Sequence, residues 1–174
     1  MSESFNSWHV AEASPTWHLS TGDFLDVNVW LVLSHRSHPL HSVATRYWRT
    51  VCESGTPLWF SRATMVALVR WLTQPRMMGS DLMTMHQALA TYQAWLETPQ
   101  VSLLPDPPGF DEAVVRLLGS ASAPLPSRLW TDLCLAATAD AAGLRMVTFD
   151  RDFERFGLAR CLVLPTHTDS GTTP

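Results

Sequence analysis

Lysine is missing altogether: every one of the twelve basic residues among the 174 is arginine. That removes any chemistry needing a lysine from this chain. A Walker A phosphate loop is excluded, as are Schiff-base catalysis and a protein-kinase site. Charge is sparse as a whole, at 16% of residues against the usual quarter. With 46% apolar residues, the chain is therefore neither a solvated linker nor a disordered segment. It has the length and apolar content of one compact domain with a real core. Cysteine is scarce: Cys52, Cys134 and Cys161 are odd in number and lack C-x-x-C spacing. A disulfide framework and a zinc ribbon are excluded on that pattern, and a reducing cytoplasm fits it. No run reaches the roughly eighteen apolar residues of a membrane span, so no membrane role is expected. The first twenty residues hold Glu3 and Glu12 and no positive charge, unlike a secretory signal. The net charge of −4 removes the whole-molecule positive field that usually marks a nucleic-acid binder.

The segments that remain alternate between strand and helix patterns. Residues 1–22 read as a polar extension dotted with Trp8 and Trp17, residues 23–165 as one domain, and 166–174 as a polar tail. Asp23–Val29 begins as a buried strand, and Asn28–Leu33 fits strand or helix equally. Pro39–Glu53 reads as a helix opened by proline, Leu58–Ser61 as a strand and Thr64–Thr73 as an amphipathic helix. Asp81–Thr98 reads as one long helix with Leu82, Met85, Leu89 and Trp95 toward the core. Val101–Leu104 fits a short strand, and Phe110–Leu118 a helix stopped by Gly119. Ser127 is placed to cap a helix running to Ala142 that Gly143 ends. Leu144–Phe149 and Cys161–Leu164 complete the strands, with a short helix between them from Asp150 to Phe156. The alternation predicts an α/β fold: a central, mostly parallel sheet of about five short strands, with helices on both faces.

In such sheets ligands bind beyond the C-terminal ends of the strands. Asp26 and Asp150 fall at such ends. Asp132 sits inside the most apolar helix, where a charge is costly unless paired or bound to a cation; if that helix points its start at the same sheet edge, the three acids converge. Three carboxylates at one edge repel one another unless a cation neutralises them. Oxygen-only donors suit Mg²⁺ or Mn²⁺, and a carboxylate-held divalent ion serves phosphodiester hydrolysis. Removing Asp26, Asp132, Asp150 and Asp152 from the sixteen acids leaves twelve, equal to the twelve arginines, so the acidic balance does not exclude a polyanionic substrate. Arg62, Arg145, Arg151 and Arg155 are candidate phosphate contacts.

The segments FLDVNVWL (24–31), LWFSRATMVALVRWLTQP (58–75) and WTDLCLAATADAAGLRMVTFDRDFERFG (130–157) together resemble the PIN-domain family, and more narrowly its VapC toxin ribonucleases. The likeness spans roughly residues 23–165. It implies a small three-layer α/β domain that cleaves RNA with Mg²⁺ or Mn²⁺ and is inhibited by a VapB-like antitoxin; dimerisation is also common in the group. By position, it makes Asp26, Asp132 and Asp150 the metal ligands and catalytic residues. Asn28 and Thr148 become the polar groups that hold those carboxylates, and Asp152 an outer acid. The sequence departs from the pattern at one place: many members carry a glutamate in the helix after the second strand, where Ala67 stands here. That departure keeps a second expectation open, a catalytically degenerate PIN fold retained as an RNA- or protein-binding module. A D-x-D phosphatase needs an acid where Asn28 stands, and a phospho-receiver needs a lysine.

Simpler roles are also available to the same residues. Asp150 is well placed to cap the helix that follows it, and Asn28 is a common turn residue. His35, His38 and His41 have a tempting spacing, but Pro39 breaks any single helix through them, so structural roles are expected. Cys134 reads as a small core residue. Trp130 is a candidate flank for the acids, and Trp30, Trp59 and Trp71 are candidates for packing a partner peptide.

Overall fold

The computed structural model describes residues 21–121 and 124–166. Most of the expected extension, with Trp8 and Trp17, lies outside the described residues, as does the tail beyond 166. Five short strands, β1 (Asp23–Leu25), β2 (Leu58–Phe60), β3 (Val101–Leu103), β4 (Arg145–Thr148) and β5 (Cys161–Val163), form one sheet. Its order is β3-β2-β1-β4-β5, and every neighbouring pair is parallel. The expected "mostly parallel" sheet is thus wholly parallel. The helices are α1 (Val27–Ser34), α2 (His41–Ser54), α3 (Arg62–Leu72), α4 (Pro75–Met78), α5 (Met85–Leu96), α6 (Phe110–Ser120) and α7 (Trp130–Ala141).

Strand alternation builds two cores, because successive side chains point to opposite faces. Leu25, Leu58, Phe60 and Val147 enter the layer covered by α1, α2, α3 and α5. Phe24 and Met146 enter the layer covered by α6 and α7. In the first layer Trp30 lies flat on Phe60, with centroids 3.8 Å apart and planes 13° off parallel. Tyr92 meets Phe60 edge-on, and Trp48 and Trp95 close the cluster. Trp30 is wholly buried, so it does not serve as a surface for a partner peptide.

The chain differs from its sequence reading at several boundaries. The first strand ends at Leu25, because α1 begins at Val27 and takes Asn28–Leu33 as helix. The long helix expected over 81–98 begins only at Met85 and ends at Leu96; Asp81 closes a 3₁₀ turn, Gly79–Asp81, that follows α4. Thr84 and Gln87 form a reciprocal capping box there, which fixes the phase of α5. Ala88 and Tyr92 are consequently the buried residues of α5, while Leu82, Met85 and Leu89 are exposed. Helix α6 continues through Gly119 to Ser120. Ser127 does not cap α7; it opens a 3₁₀ turn, Ser127–Leu129, that leads into it. Gly143, with φ +68°, ends α7 as expected, since that backbone region favours glycine.

Below the strands' N-terminal ends lies a buried polar clamp. Asp23 accepts two hydrogen bonds from Arg145, Nε at 2.8 Å and Nη2 at 2.6 Å. It also accepts one from the Tyr47 hydroxyl at 2.7 Å. Parallel register places Asp23 directly beside Arg145. Arg145 is therefore engaged at the opposite end of the sheet from the strand-end acids and is not a phosphate contact near them.

Candidate active site

At the C-terminal edge of β1 the chain turns sharply. The Asp26 N–H donates to the Val147 carbonyl at 2.9 Å, and the Asp26 carbonyl accepts the N–H groups of Val29 and Trp30. Asp26 thus occupies the N-cap position of α1, yet its carboxylate makes no capping bond to that helix. Its Oδ2 instead accepts from Asn28 Nδ2 at 2.6 Å and from the Thr148 hydroxyl at 2.7 Å. Thr148 Oγ1 accepts in turn from Asn28 Nδ2 at 3.0 Å and from the Asp150 N–H at 2.9 Å. Asn28 Oδ1 accepts the Phe149 N–H at 3.2 Å. One hydroxyl and one amide therefore lock the ends of β1 and β4 together and hold the Asp26 carboxylate by a single oxygen.

Asp26 is only 4% exposed. Burial pushes its acid up to about 6, opposed by the Thr148 hydrogen bond and reinforced by the negative charge of Asp132. Asp132 stands in the first turn of α7, where a helix N-terminus favours negative charge. Even so, its acid is raised, first by burial and then by Asp150 and Asp152, with Arg128 opposing. Asp150 is exposed and accepts the Asp152 N–H at 2.8 Å through Oδ1. It therefore caps the following 3₁₀ turn, Arg151–Phe156, as its position suggested. The three carboxylates line one cleft of about 570 Å³, graded from buried Asp26 through half-buried Asp132 to exposed Asp150. Among the described residues no three His, Cys, Asp or Glu side chains stand gathered as a ready-made metal site. The acids share the cleft without closing into a finished coordination sphere.

The facing wall is α3, presenting Arg62, Ala63, Val66, Ala67, Arg70 and Trp71. These positions recur at i, i+1, i+4, i+5, i+8 and i+9, one side of a helix. Ala67, where the family likeness leads to the expectation of a glutamate, thus lines the cleft and offers it only a methyl group. Glu53 and Asp81 are absent from the lining and do not replace the missing acid. Arg62 lines the cleft. Arg70 was missed, although its eight-residue spacing from Arg62 marks the same face. Arg151 lies outside the cleft lining, and Arg155 is paired with Asp152.

Asp152 lies outside the cleft lining. It is held by Arg128 at 2.9 Å and Arg155 at 3.3 Å, and its acid is lowered chiefly by the Arg128 hydrogen bond. The three histidines are engaged separately. His35 Nε2 meets Asp81 at 3.1 Å, His38 Nδ1 accepts the Leu40 N–H, and His41 Nδ1 bonds the Val32 carbonyl at 2.8 Å. Cys52, Cys134 and Cys161 are free thiols. Trp130 is exposed at the start of α7, two residues before Asp132. No helix among the described residues is long and apolar enough to cross a membrane.

The family model described as the PIN domain matches residues 24–158. This chain belongs to the PIN-domain family. The PIN domain is 33% identical over 135 residues to Ribonuclease VapC41 of Mycobacterium tuberculosis, in both strain CDC 1551 / Oshkosh and strain ATCC 25618 / H37Rv. The match covers 76% of this chain and 91% of the relative. Among solved structures, the PIN domain resembles VapBC2 from Rickettsia felis bound to a DNA fragment from their promoter. The TM-score is 0.61 at 12% identity, covering 82% of this chain and 98% of that one. It also resembles M. tuberculosis VapC20, a Sarcin-Ricin loop cleaving toxin, with a TM-score of 0.56 at 20% identity, covering 83% and 100%. These two likenesses establish the fold.

Proposed function

We propose that this PIN domain is an endoribonuclease toxin of the VapC kind, hydrolysing RNA phosphodiesters with Mg²⁺ or Mn²⁺ held by Asp26, Asp132 and Asp150. The observation that carries the reading is a buried carboxylate, Asp26, whose acid is raised in part by a second carboxylate in the same cleft. Like charges that share a half-buried cleft raise one another's acids, and a bound cation relieves that cost. The donors are all oxygen, the type that hard divalent ions prefer. The kinship with a named ribonuclease supports the same conclusion.

When bound, such a cation supplies the Lewis acidity that makes attack of water on a phosphodiester feasible at neutral pH. The protein's own side chains do the rest. Asn28 and Thr148 fix the Asp26 carboxylate so that it need not reorganise during reaction. Arg62 and Arg70, on the facing wall, hold phosphate oxygens of the substrate. Asp150, at the solvent end of the cleft, orients the attacking water and receives its proton.

A VapB-like antitoxin is the partner of this reading, and the VapBC assembly among the solved neighbours supports it. An arginine or lysine of that partner neutralises the acidic cleft in place of the cation. The exposed apolar side chains Met77, Leu82, Met85 and Leu89 are candidates for contact with a second copy of the chain.

The test is incubation of purified protein with total RNA, with Mn²⁺ or with EDTA. Cleavage is expected only with the divalent ion and is lost in Asp26→Ala and Asp150→Ala. Cleavage that persists in both variants overturns the mechanism. Ala67 on the cleft wall favours the second reading, a degenerate binding module. Binding of RNA without cleavage under any divalent ion is the result that selects it.

A further inference from the structure

A second surface, at the far end of α1 from Asp26, has the opposite charge. A groove of about 580 Å³ runs from the α1–α2 turn along the start of α2. Arg36, His38, Ser42, Arg46 and Arg49 line it, and no acidic residue does. Ser42, Arg46 and Arg49 stand at i, i+4 and i+7, a single face of α2. Arg36, Arg46 and Arg49 are exposed, and among the described residues none of them makes an ion pair. The 14-residue helix α2 has neither a side-chain cap nor an acidic residue in its first turn, so its positive end adds to the same field. His38 accepts the Leu40 N–H through Nδ1, which makes its ring neutral with the proton on Nε2. The groove thus carries three guanidiniums and an imidazole N–H as donors, together with hydroxyls that donate or accept and His41, whose Nδ1 is turned to the Val32 carbonyl.

The chain as a whole carries −4, and its candidate active site is walled on one side by carboxylates that repel a polyanion. Arg62 and Arg70 on the facing wall offset part of that repulsion, and positive charge elsewhere on the surface adds to the attraction. Helix α1 is roughly 12 Å long, and the groove and the cleft share no lining residue, so the groove is a separate surface. From Ser42 to Arg49 is about 10 Å of helix, on the order of three steps of a stacked strand.

We propose that the Arg36–Arg46–Arg49 groove is an exosite for the phosphate backbone of the RNA substrate, distinct from the cleft that cuts it. This rests on the ribonuclease reading above and adds a second contact to it. Contacts of this kind position the nucleic acid and give salt-dependent affinity without reading sequence.

The test compares wild type with Arg46→Gln/Arg49→Gln and with Arg36→Gln. Fluorescence anisotropy measures binding of a labelled RNA hairpin in EDTA, between about 50 and 200 mM salt. In the double variant binding is expected to weaken about tenfold, and the slope of log K against log salt to become shallower by about 1.4–1.8, two phosphate contacts' worth. In Mn²⁺, KM for the RNA rises while kcat is unchanged. The exposed substitutions leave the melting temperature unaltered, and the Lys double variant restores binding. An unchanged affinity and slope overturns the proposal. So does a fall in kcat at constant KM, which would place these arginines at the cleft. Intact RNA binding with weakened capture by an antitoxin also overturns it, because the groove then belongs to the protein partner. Failure of wild type itself to bind RNA would defeat the ribonuclease reading, and the wild-type arm tells that outcome apart.

Discussion

Thr148 is the residue on which the candidate site hinges. Its hydroxyl donates to Asp26 and accepts from Asn28 and from the Asp150 N–H, so one buried oxygen serves three partners. Thr148→Val keeps the shape and removes every one of those bonds. The expected cost is about 1–3 kcal/mol of stability and about 10–100-fold in activity or metal affinity, with Thr148→Ser recovering most of both. Equal RNA cleavage by Thr148→Val and wild type would show that the clamp does not orient Asp26. Asp26 itself gives the opposite sign. At pH 7.5 it is a charge held where burial disfavours charge, with an acid near 6 against 3.9 for an unperturbed aspartate. Two units correspond to roughly 2–3 kcal/mol of destabilisation. Asp26→Asn, measured in EDTA at pH 7.5, should therefore melt about 4–12 °C higher than wild type while losing cleavage. A lower melting temperature for that variant would mean that the carboxylate is structural.

At the scale of elements, Asp26 and Asp150 were legible because each follows a strand, and Asp132 because a charge inside an apolar helix is costly; its place in the first turn came only with the structure. The Asn28–Thr148 bridge, 120 residues apart, came only with the family likeness. Element boundaries were read less well. The apolar period over 81–98 hid a restart, although T-x-x-Q at Thr84–Gln87 was a visible capping signal; missing it turned Leu82, Met85 and Leu89 inward on paper. Arg145 was misplaced because its partner depends on the pairing of β1 with β4, which no local pattern encodes. That pairing carries its own prediction. Tyr47 donates to a buried carboxylate already gripped by Arg145, so Tyr47→Phe should cost about 1–2 kcal/mol. Arg145→Met strands the Asp23 charge and should cost toward the lower end of the ~3–5 kcal/mol range, since Arg145 is itself partly exposed. Both losses appear in urea melts. Cleavage per folded molecule should hold, because the clamp is at the other end of the sheet. A selective fall in kcat would contradict this separation.

For the whole molecule, the pH dependence of stability sets these groups against one another. Asp26 has an acid raised to about 6, so it holds more protons in the folded protein than in the unfolded chain between about pH 4 and 6, and its contribution to stability is highest in acid and falls as pH rises through that window. The raised acid of Asp132 acts in the same direction. Asp81 and Asp152 have lowered acids, each chiefly through a side-chain hydrogen bond, from Ser37 and Arg128 respectively. Burial lowers His38, with His35 and His41 adding to the effect. The aspartates' contribution is lost as pH falls through their lowered acids, and that of His38 as pH falls below about 6.5. The total curve is thus a sum of opposite slopes, and a melt series on wild type alone does not separate them. Subtracting the Asp26→Asn series does. The difference in EDTA should be near zero at pH 4, open between pH 4 and 6 with the variant above wild type, and stay constant beyond. Saturating Mn²⁺ should close that gap from the other side. A ligand that binds only the folded state stabilises it by RT ln(1 + [L]/Kd), and here it also removes the repulsion between Asp26 and Asp132. Wild type should then rise with Mn²⁺ more strongly at pH 7.5 than at pH 5, where protons compete for the same carboxylates, and Asp26→Asn should respond weakly at both. A Mn²⁺ response equal in the two proteins, or independent of pH, would place the ion away from Asp26 and leave its raised acid without a functional cause.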